Sequence, residues 1–377
     1  MDMILGFLQS AAGYLVPFLT LTIVIVFIHE MGHFLAARYF GVTVSAFSIG
    51  FGPELLHWHD RYNTRWRIAL IPLGGYVKFV GDADASSQPD PDAVVDSEAV
   101  ILNSRPLSER AWIVAAGPLA NFLLTIVLLT GNAYVEGTEY LVPRIDSVLA
   151  GQPAEQAGMK PGDVILSIDH TPVIEFPEVQ AIIADNPGRP LDVVVDREGR
   201  ELTLTVTPNP VHRSGLLSAF PVGRIGITIV TKPSNFIKQE FGPLEAIGFG
   251  VRQTYRMAVA NIQGIGTLLV GSGSIKDVAG PVTIAEISKK TADAGFSPFI
   301  LWIAGISLAI GVVNLLPVPI LDGGHLLFYA IEGVMRRPLD PSTVSVCYRI
   351  GMFVVLGLMG LGLFSDGLKW GKALNFF

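Results

Sequence analysis

The sequence predicts a polytopic α-helical membrane protein with about four transmembrane helices, a membrane-associated β-region and one small α+β domain outside the membrane. Of the 377 residues, 50% are hydrophobic and only 16% are charged, whereas an average soluble domain carries about 25% charged residues. Apolar residues are concentrated in four segments, and a stretch of short β-type runs and turns separates the second from the third. The segments predicted to cross the membrane are 1–40, 111–135, 294–325 and 345–368.

The first apolar segment is long enough to cross a bilayer, because residues 3–28 form a run of 26 without a charge and about 20 apolar residues suffice. Region 41–110 follows it. There, "SAFSIGFGPELLHW" and "RWRIALIPLGGYVKFVG" predict short strands with glycine turns. The acidic stretch 82–98, rich in serine and proline, is expected to be a flexible loop.

Region 140–231 predicts a separate α+β domain, with the helix-like run "PAEQAG" and a hairpin turn at 197–199. Region 236–293 contains an apolar stretch, 241–270, that is interrupted by Glu245, Arg252 and Arg256. This pattern predicts an amphipathic helix on the bilayer surface rather than a fifth span. The fourth predicted span has an uncharged core of only 16 residues, which is short for crossing a membrane.

Charges beside the apolar segments predict their orientation. Arg105 and Arg110 precede the second segment, and Arg336 and Arg337 lie between the third and the fourth. Basic loops favour the cytoplasmic side. The region before the second segment and the loop before the fourth are therefore expected in the cytoplasm, and the α+β domain outside it.

Composition also excludes several classes. The net charge is −7 and no basic tract occurs, so nucleic acid is not an expected partner. Cys347 is the only cysteine, which excludes an intrachain disulfide and a cysteine-rich zinc site. No lysine or arginine precedes Arg38, so the N-terminus lacks the basic region of a cleavable signal peptide.

Three ionisable residues end the first apolar segment and form the motif H-E-x-x-H: His29, Glu30 and His33. On a helix, residues four apart face the same way, so the two imidazoles can bind one zinc ion. Glu30 beside them can act as a general base and later as a proton donor. A satisfied pair of helix histidines is the alternative, but it does not explain three costly ionisable groups in an apolar helix.

A catalytic zinc ion takes three protein ligands and keeps one position open. The third apolar segment is broken by Pro317 and Pro319, and a broken helix at membrane depth is tolerated where it lines a cavity. Asp322 lies at this break and is the predicted third ligand, although a plain helix-end role remains open. Asn314 could hold a substrate backbone or polarise a carbonyl, or make an interhelical hydrogen bond.

The remaining histidines give weaker signals. His57 and His59 could form a second metal site on a strand, but solvated histidines at the interface are the simpler interpretation. His325 follows Asp322 by three residues and is interpreted as structural or as supporting the ligands. His170 and His212 are expected on the surface of the outer domain.

Three motifs together resemble those of the site-2 proteases: the H-E-x-x-H, "AAGPLANF" at 115–122 and "NLLPVPILDGG" at 314–324. The resemblance covers nearly the whole chain and implies a zinc metalloendopeptidase of the bacterial inner membrane, with its active site toward the cytoplasm. It implies one zinc ion and cleavage of single-pass transmembrane proteins, such as anti-sigma factors or signal-peptide remnants. Membrane lipid is the other expected partner, and the chain is expected to be a monomer. By resemblance, the zinc ligands are His29, His33 and Asp322, the catalytic residue is Glu30, and the substrate-binding residues include Asn314 and Pro317.

The resemblance extends to two peptide-binding regions. The strands near 50–53 and at 74–79, with Gly74 and Gly75, match a membrane-associated β-region thought to hold the substrate as an added strand. The outer domain, 140–231, resembles a circularly permuted periplasmic PDZ domain through "AGMKPGDVILSID" at 157–169. Its expected peptide-binding strand is "GRIGITI" at 223–229, with Gly226.

Two other functions fit parts of the pattern. A metal transporter would use the same ligands to carry zinc, and a broken helix suits it, but it would not need the base Glu30. An inactive scaffold would use only the PDZ-like domain to bind peptides. Zinc uptake into vesicles would indicate the transporter, and absence of bound zinc would indicate the scaffold.

Overall fold

A computed structural model describes residues 2–81, 100–211, 221–229, 235–269 and 279–373. The predicted loop at 82–98 and His212 lie outside these ranges. The helices are α1 Asp2–Tyr39, α2 Leu107–Glu136, α3 Pro153–Gln156, α4 Phe176–Asp185, α5 Pro243–Leu269, α6 Pro281–Ala294, α7 Phe296–Asn314, α8 Asp322–Met335 and α9 Pro341–Ala373.

The strands begin with a long pair, β1 Val44–His59 and β2 Arg65–Phe79. Shorter strands follow: β3 Thr138–Leu141, β4 Ile145–Val148, β5 Val164–Ile168, β6 Thr171–Pro172, β7 Leu191–Arg197, β8 Arg200–Val206, β9 Asn209–Val211, β10 Val222–Arg224, β11 Ile227–Ile229 and β12 Phe236–Gln239. The chain divides into two compact units. The first holds α1, β1, β2, most of α2 and α5, and the helices from α6 onward, whereas the second holds the strands from β3 to β12 with α3 and α4.

Four helices of the first unit are long and apolar enough to cross a membrane, as predicted. Their candidate spans are Ala12–Tyr39, Leu107–Glu136, Phe296–Asn314 and Ser342–Lys369. The last is 28 residues long, so the short uncharged core of the fourth segment does not limit its reach. Among the described residues, α5 does not meet the same criterion.

The third apolar segment, predicted at 294–325 with a break at its two prolines, forms two helices with a break between them. The helix α7 ends at Asn314 and α8 begins at Asp322. Between them, Leu315 is the C-cap of α7, and the chain turns through the two prolines. Proline lacks the amide hydrogen that a helix interior needs, which explains the break.

The predicted short strands after the first helix are in fact long, with 16 residues in β1 and 15 in β2. Phe47 in β1 is opposite both Val77 and Trp66 of β2. The first half of β1 is therefore paired on both sides, and the last residues of β2 form an edge. This sheet packs on α1 and α2 through an apolar core that includes Phe34, Ala37, Phe47 and Ile113.

The second unit contains a four-stranded antiparallel sheet in the order β6-β5-β7-β8. The turn between β7 and β8 lies at Glu198 and Gly199, where the hairpin was predicted, and "PAEQ" forms α3. The sequence interpretation missed α4, which packs against the sheet through Val179 and Ile183. The predicted peptide-binding strand is interrupted, because β10 ends at Arg224 and β11 begins at Ile227.

A buried ion pair joins two parts of this second unit. The Asp163 carboxylate is inaccessible to solvent and receives hydrogen bonds of 2.8 Å each from Nε and Nη2 of Arg197. Burial alone would raise the pKa of Asp163, but the bonds from Arg197 and from the Lys160 amide outweigh it and hold the pKa below its usual value. The pair therefore links the loop before β5 to the end of β7.

Candidate metal centre

Helix α1 brings the two motif histidines together. His29 and His33 are one turn apart, and their Nε2 atoms lie 3.3 Å from each other. The two rings meet edge to face, with centroids 4.9 Å apart. The two Nε2 atoms are therefore close enough to bind one metal ion between them.

Asp322, the first residue of α8, completes the cluster. Its Oδ2 lies 3.2 Å from Nε2 of His29, and its Oδ1 lies 3.5 Å from Nε2 of His33. Within the described part of the chain, these three residues form the one group of histidine, cysteine or acidic side chains arranged to hold a metal ion.

The donor set fits a zinc ion. Zinc takes histidine nitrogen and carboxylate oxygen at about 2.0–2.2 Å in a tetrahedron, so ligand atoms lie about 3.3–3.5 Å apart. The observed separations of 3.2, 3.3 and 3.5 Å match such an edge. Oδ2 of Asp322 is also buried without a hydrogen bond from the described residues, which is costly unless a cation compensates it.

Glycines fix the position of Asp322. A Cβ on Gly324 would lie 2.7 Å from Cα of Pro319, and one on Gly323 would overlap the Leu315 and Leu316 carbonyls. A Cβ on Gly351 of α9 would overlap the carbonyl of Pro319. The segment between α7 and α8 is thus held between two helices that can approach it only through glycine.

Helix α2 contacts the imidazole of His33 at two positions, Ile113 and Gly117. Nδ1 of His33 lies 2.9 Å from the carbonyl oxygen of Ile113, so Nδ1–H can donate to it and Nε2 keeps its lone pair for a metal. The ring rests against Gly117, where a Cβ would lie 2.8 Å from Cδ2 of His33 and overlap Nε2. Gly32 of α1 allows the same close approach, since its Cβ would lie 2.9 Å from Cβ of Ala120.

A cavity of about 300 Å³ opens in front of the cluster. The predicted residues in its wall are His29, Glu30, His33, Asp322, Asn314, Gly74, Gly75 and His325. Pro317 is exposed and is not in this wall. Gly226 belongs to the second unit, where it lines a separate cavity of about 700 Å³ with α4.

The last residues of β2 form one wall of the cavity in front of the cluster. Gly75 lies against the side chain of Glu30, since a Cβ there would lie 3.3 Å from Cγ of Glu30 and 2.7 Å from the carbonyl oxygen of Ser48. The amide of Val77 donates a hydrogen bond to Glu30. Among the described residues, Gly75 and Tyr76 of β2 pair only with β1, so the edge at Gly75 can accept an added strand.

The other histidines within the described ranges do not belong to this cluster. His57 and His59 are exposed on β1, and Nδ1 of His57 lies 3.5 Å from a carboxylate oxygen of Glu54. His325 lies within 3.0 Å of the hydroxyl of Tyr348. His170 is exposed in the turn after β5.

Sequence reasoning missed two residues that support the cluster, Gly117 and Asn121. Gly117 and Asn121 belong to "AAGPLANF", a motif that was used only for the resemblance. An asparagine within an apolar span is itself a signal, because such a group needs a partner.

Comparison with known proteins agrees with this geometry. Residues 17–358 match the model of peptidase family M50. A protein of Agrobacterium fabrum that is named as a zinc metalloprotease is 40% identical over 96% of this chain and 96% of its own length. One from Rhizobium meliloti with the same description is 40% identical over 95% of this chain and 97% of its own. Metalloprotease MmpA of Caulobacter vibrioides is 36% identical over 93% of this chain and 94% of its own.

A membrane helix bundle with this ligand set defines a zinc metalloprotease of the membrane. The chain belongs to peptidase family M50, the site-2 proteases.

Proposed function

We propose that this protein is an intramembrane endopeptidase, which hydrolyses peptide bonds within transmembrane segments of single-pass proteins such as anti-sigma factors or signal-peptide remnants. The reaction would serve regulated intramembrane proteolysis. One observation carries the proposal: His29, His33 and Asp322 converge between apolar helices, beside a cavity with an open strand edge. A soluble protease has no need of ligands in spans of such hydropathy.

The open edge of β2 suits a transmembrane substrate. A helix hides its peptide bonds within its own hydrogen bonds, so the substrate must unwind before hydrolysis. An unwound segment can replace those bonds with bonds to the edge near Gly75. Asn314 also lines the cavity, where its amide can bind the same extended backbone.

The residues divide the chemistry between them. His29, His33 and Asp322 would hold the zinc ion, which would supply Lewis-acid chemistry for polarising a carbonyl and lowering the pKa of water to about 7. Glu30 accepts the proton of the attacking water and delivers it to the leaving amine nitrogen. The Val77 amide orients the Glu30 carboxylate, and the cavity admits the water that hydrolysis consumes.

Orientation and the second unit complete the proposal. The chain would lie in the bacterial inner membrane with Arg110 on the cytoplasmic side and the second unit in the periplasm. The second unit would act as a PDZ domain, whose cavity beside Gly226 and α4 would bind a peptide. The size and shape of this cavity, about 700 Å³ between a strand and a helix, support a peptide ligand.

The experiment is the Glu30→Gln substitution in the full-length protein. We expect stoichiometric zinc and a loss of about 10²–10⁴-fold in cleavage of a model single-pass substrate, because a general base contributes that much. Glu201→Gln, at an exposed site in β8, is the matched control. Cleavage by Glu30→Gln at the unmodified rate, or zinc uptake into vesicles without any cleavage by the unmodified protein, would contradict the proposal.

A further inference from the structure

Asn121 of α2 is fully buried behind the metal cluster. It does not line the catalytic cavity. Nδ2 of its carboxamide lies 3.3 Å from Nδ1 of His29. Oδ1 is buried and has no hydrogen-bond partner among the described residues, and such a group is expected to have a use.

The backbone carbonyl of Asn121, in α2, is hydrogen-bonded to one side chain of α2 and one of α7. Its carbonyl oxygen accepts hydrogen bonds from Oγ1 of Thr125 at 3.0 Å and from Oγ of Ser307 at 3.1 Å. A Cβ on Gly311 of α7 would lie 3.3 Å from Cβ of Asn121. Rotation of the carboxamide can therefore exchange Oδ1 and Nδ2 beside Nδ1 of His29.

The two motif histidines have different partners at Nδ1. Nδ1 of His33 faces a backbone carbonyl, that of Ile113, which can only accept a hydrogen bond. Nδ1 of His29 faces a carboxamide, which can donate or accept according to its rotation. An imidazole that binds a metal through Nε2 carries its proton on Nδ1 and needs an acceptor there.

We infer that Asn121 is a positioning residue, which turns Oδ1 toward His29, accepts the Nδ1–H bond and so fixes the tautomer whose Nε2 binds zinc. This inference rests on the proposed role of His29 as a ligand. It gives the unpartnered Oδ1 its partner. It also makes the Asn121 carboxamide equivalent to the Ile113 carbonyl, so both imidazoles are held by acceptors on the same helix.

Two variants of similar size separate accepting from donating. Asn121→Asp can only accept, and Asn121→Leu can do neither. With full-length protein in detergent, zinc affinity is measured by competition with a chelator. We expect Asn121→Asp to bind zinc at least as tightly as the unmodified protein, and Asn121→Leu to bind it about 10–100-fold more weakly.

Ser307→Ala is the matched control, because it removes a hydrogen bond to the backbone of Asn121 and leaves the carboxamide in place. Its zinc affinity should stay within about twofold of the unmodified value. Tenfold weaker binding by Asn121→Asp would overturn the inference, and so would equal losses in Ser307→Ala and Asn121→Leu. Should Asn121→Leu fail to fold, the Asp variant still decides.

His29→Ala separates failure of this inference from failure of the proposed site. If His29→Ala keeps stoichiometric zinc with the unmodified affinity, His29 is not a ligand and both fail. If His29→Ala loses zinc while Asn121→Leu binds it normally, only the positioning role of Asn121 is wrong.

Discussion

Gly117 offers the sharpest test of how α2 supports the metal cluster. The substitution Gly117→Ala adds one methyl group, and its carbon would lie 2.8 Å from Cδ2 of His33 and closer still to Nε2 and Cε1. Carbon atoms in contact lie about 3.5–4.0 Å apart, so the ring must move by about 1 Å. Metal–ligand distances tolerate only about 0.2 Å.

We expect Gly117→Ala to lose at least about 100-fold in cleavage, since a 1 Å misplacement costs about that much. Zinc should also bind more weakly. The helix itself should not suffer, because alanine is favoured over glycine in a helix interior by about 1 kcal/mol. The measurements are cleavage of a model single-pass substrate and zinc content after exposure to a chelator.

Gly131→Ala is the matched control in the same helix, because nothing lies within 4 Å of the added carbon. It should keep full activity and unfold at an equal or higher temperature. If Gly117→Ala cleaves within twofold of the unmodified protein and retains its zinc, the ring of His33 is not held as the structure indicates.

Two further predictions concern stability. Asp366 of α9 accepts hydrogen bonds from the amides of Gly280, Val282 and Thr283 at the start of α6. Asp366→Ala should therefore lower the free energy of unfolding by about 2–3 kcal/mol, measured by thermal unfolding in detergent. An unchanged unfolding temperature would show that Asp366 does not stabilise the start of α6. Because the folded pKa of Asp163 lies below its usual 3.8, its pair stabilises the second unit at neutral pH, and this stability is lost as the pH falls below about 4. Asp163→Asn should destabilise that unit by about 3 kcal/mol and flatten its pH dependence below about pH 5. Hydrogen exchange of β5 and β7 follows this change, and an unchanged pH profile would contradict the assignment.

The metal cluster could be predicted from the sequence because the residues that form it are chemically unusual in apolar segments and follow local patterns. His29 and His33 are one helical turn apart, so helix geometry alone brings them together. Asp322 could be chosen because few ionisable residues follow a broken apolar segment. The hydropathy pattern likewise predicted the four long apolar helices, since span length depends on local composition.

What the sequence could not give depends on contacts between distant residues. The need for glycine at position 117 is visible only once α1 is packed against α2, because only then does a Cβ at that position overlap the ring of His33. The double pairing of Phe47 depends on how β2 folds back along β1, which alternation does not encode. The continuous strand predicted at 223–229 was wrong because Gly226 adopts a positive φ of 79°, where the extended backbone turns.

Helix α9 supports the segment that precedes Asp322, because it contacts Pro319. The carbonyl of Pro319 fits against Gly351, in the middle of a helix that also holds the start of α6 through Asp366. A minimal catalytic fragment that ended after α8 would remove this wall, and the loop that presents Asp322 would lose its backing. Engineers who trim the protein should therefore cut within the second unit, because Gly351 and Asp366 of α9 make the contacts to Pro319 and to the start of α6.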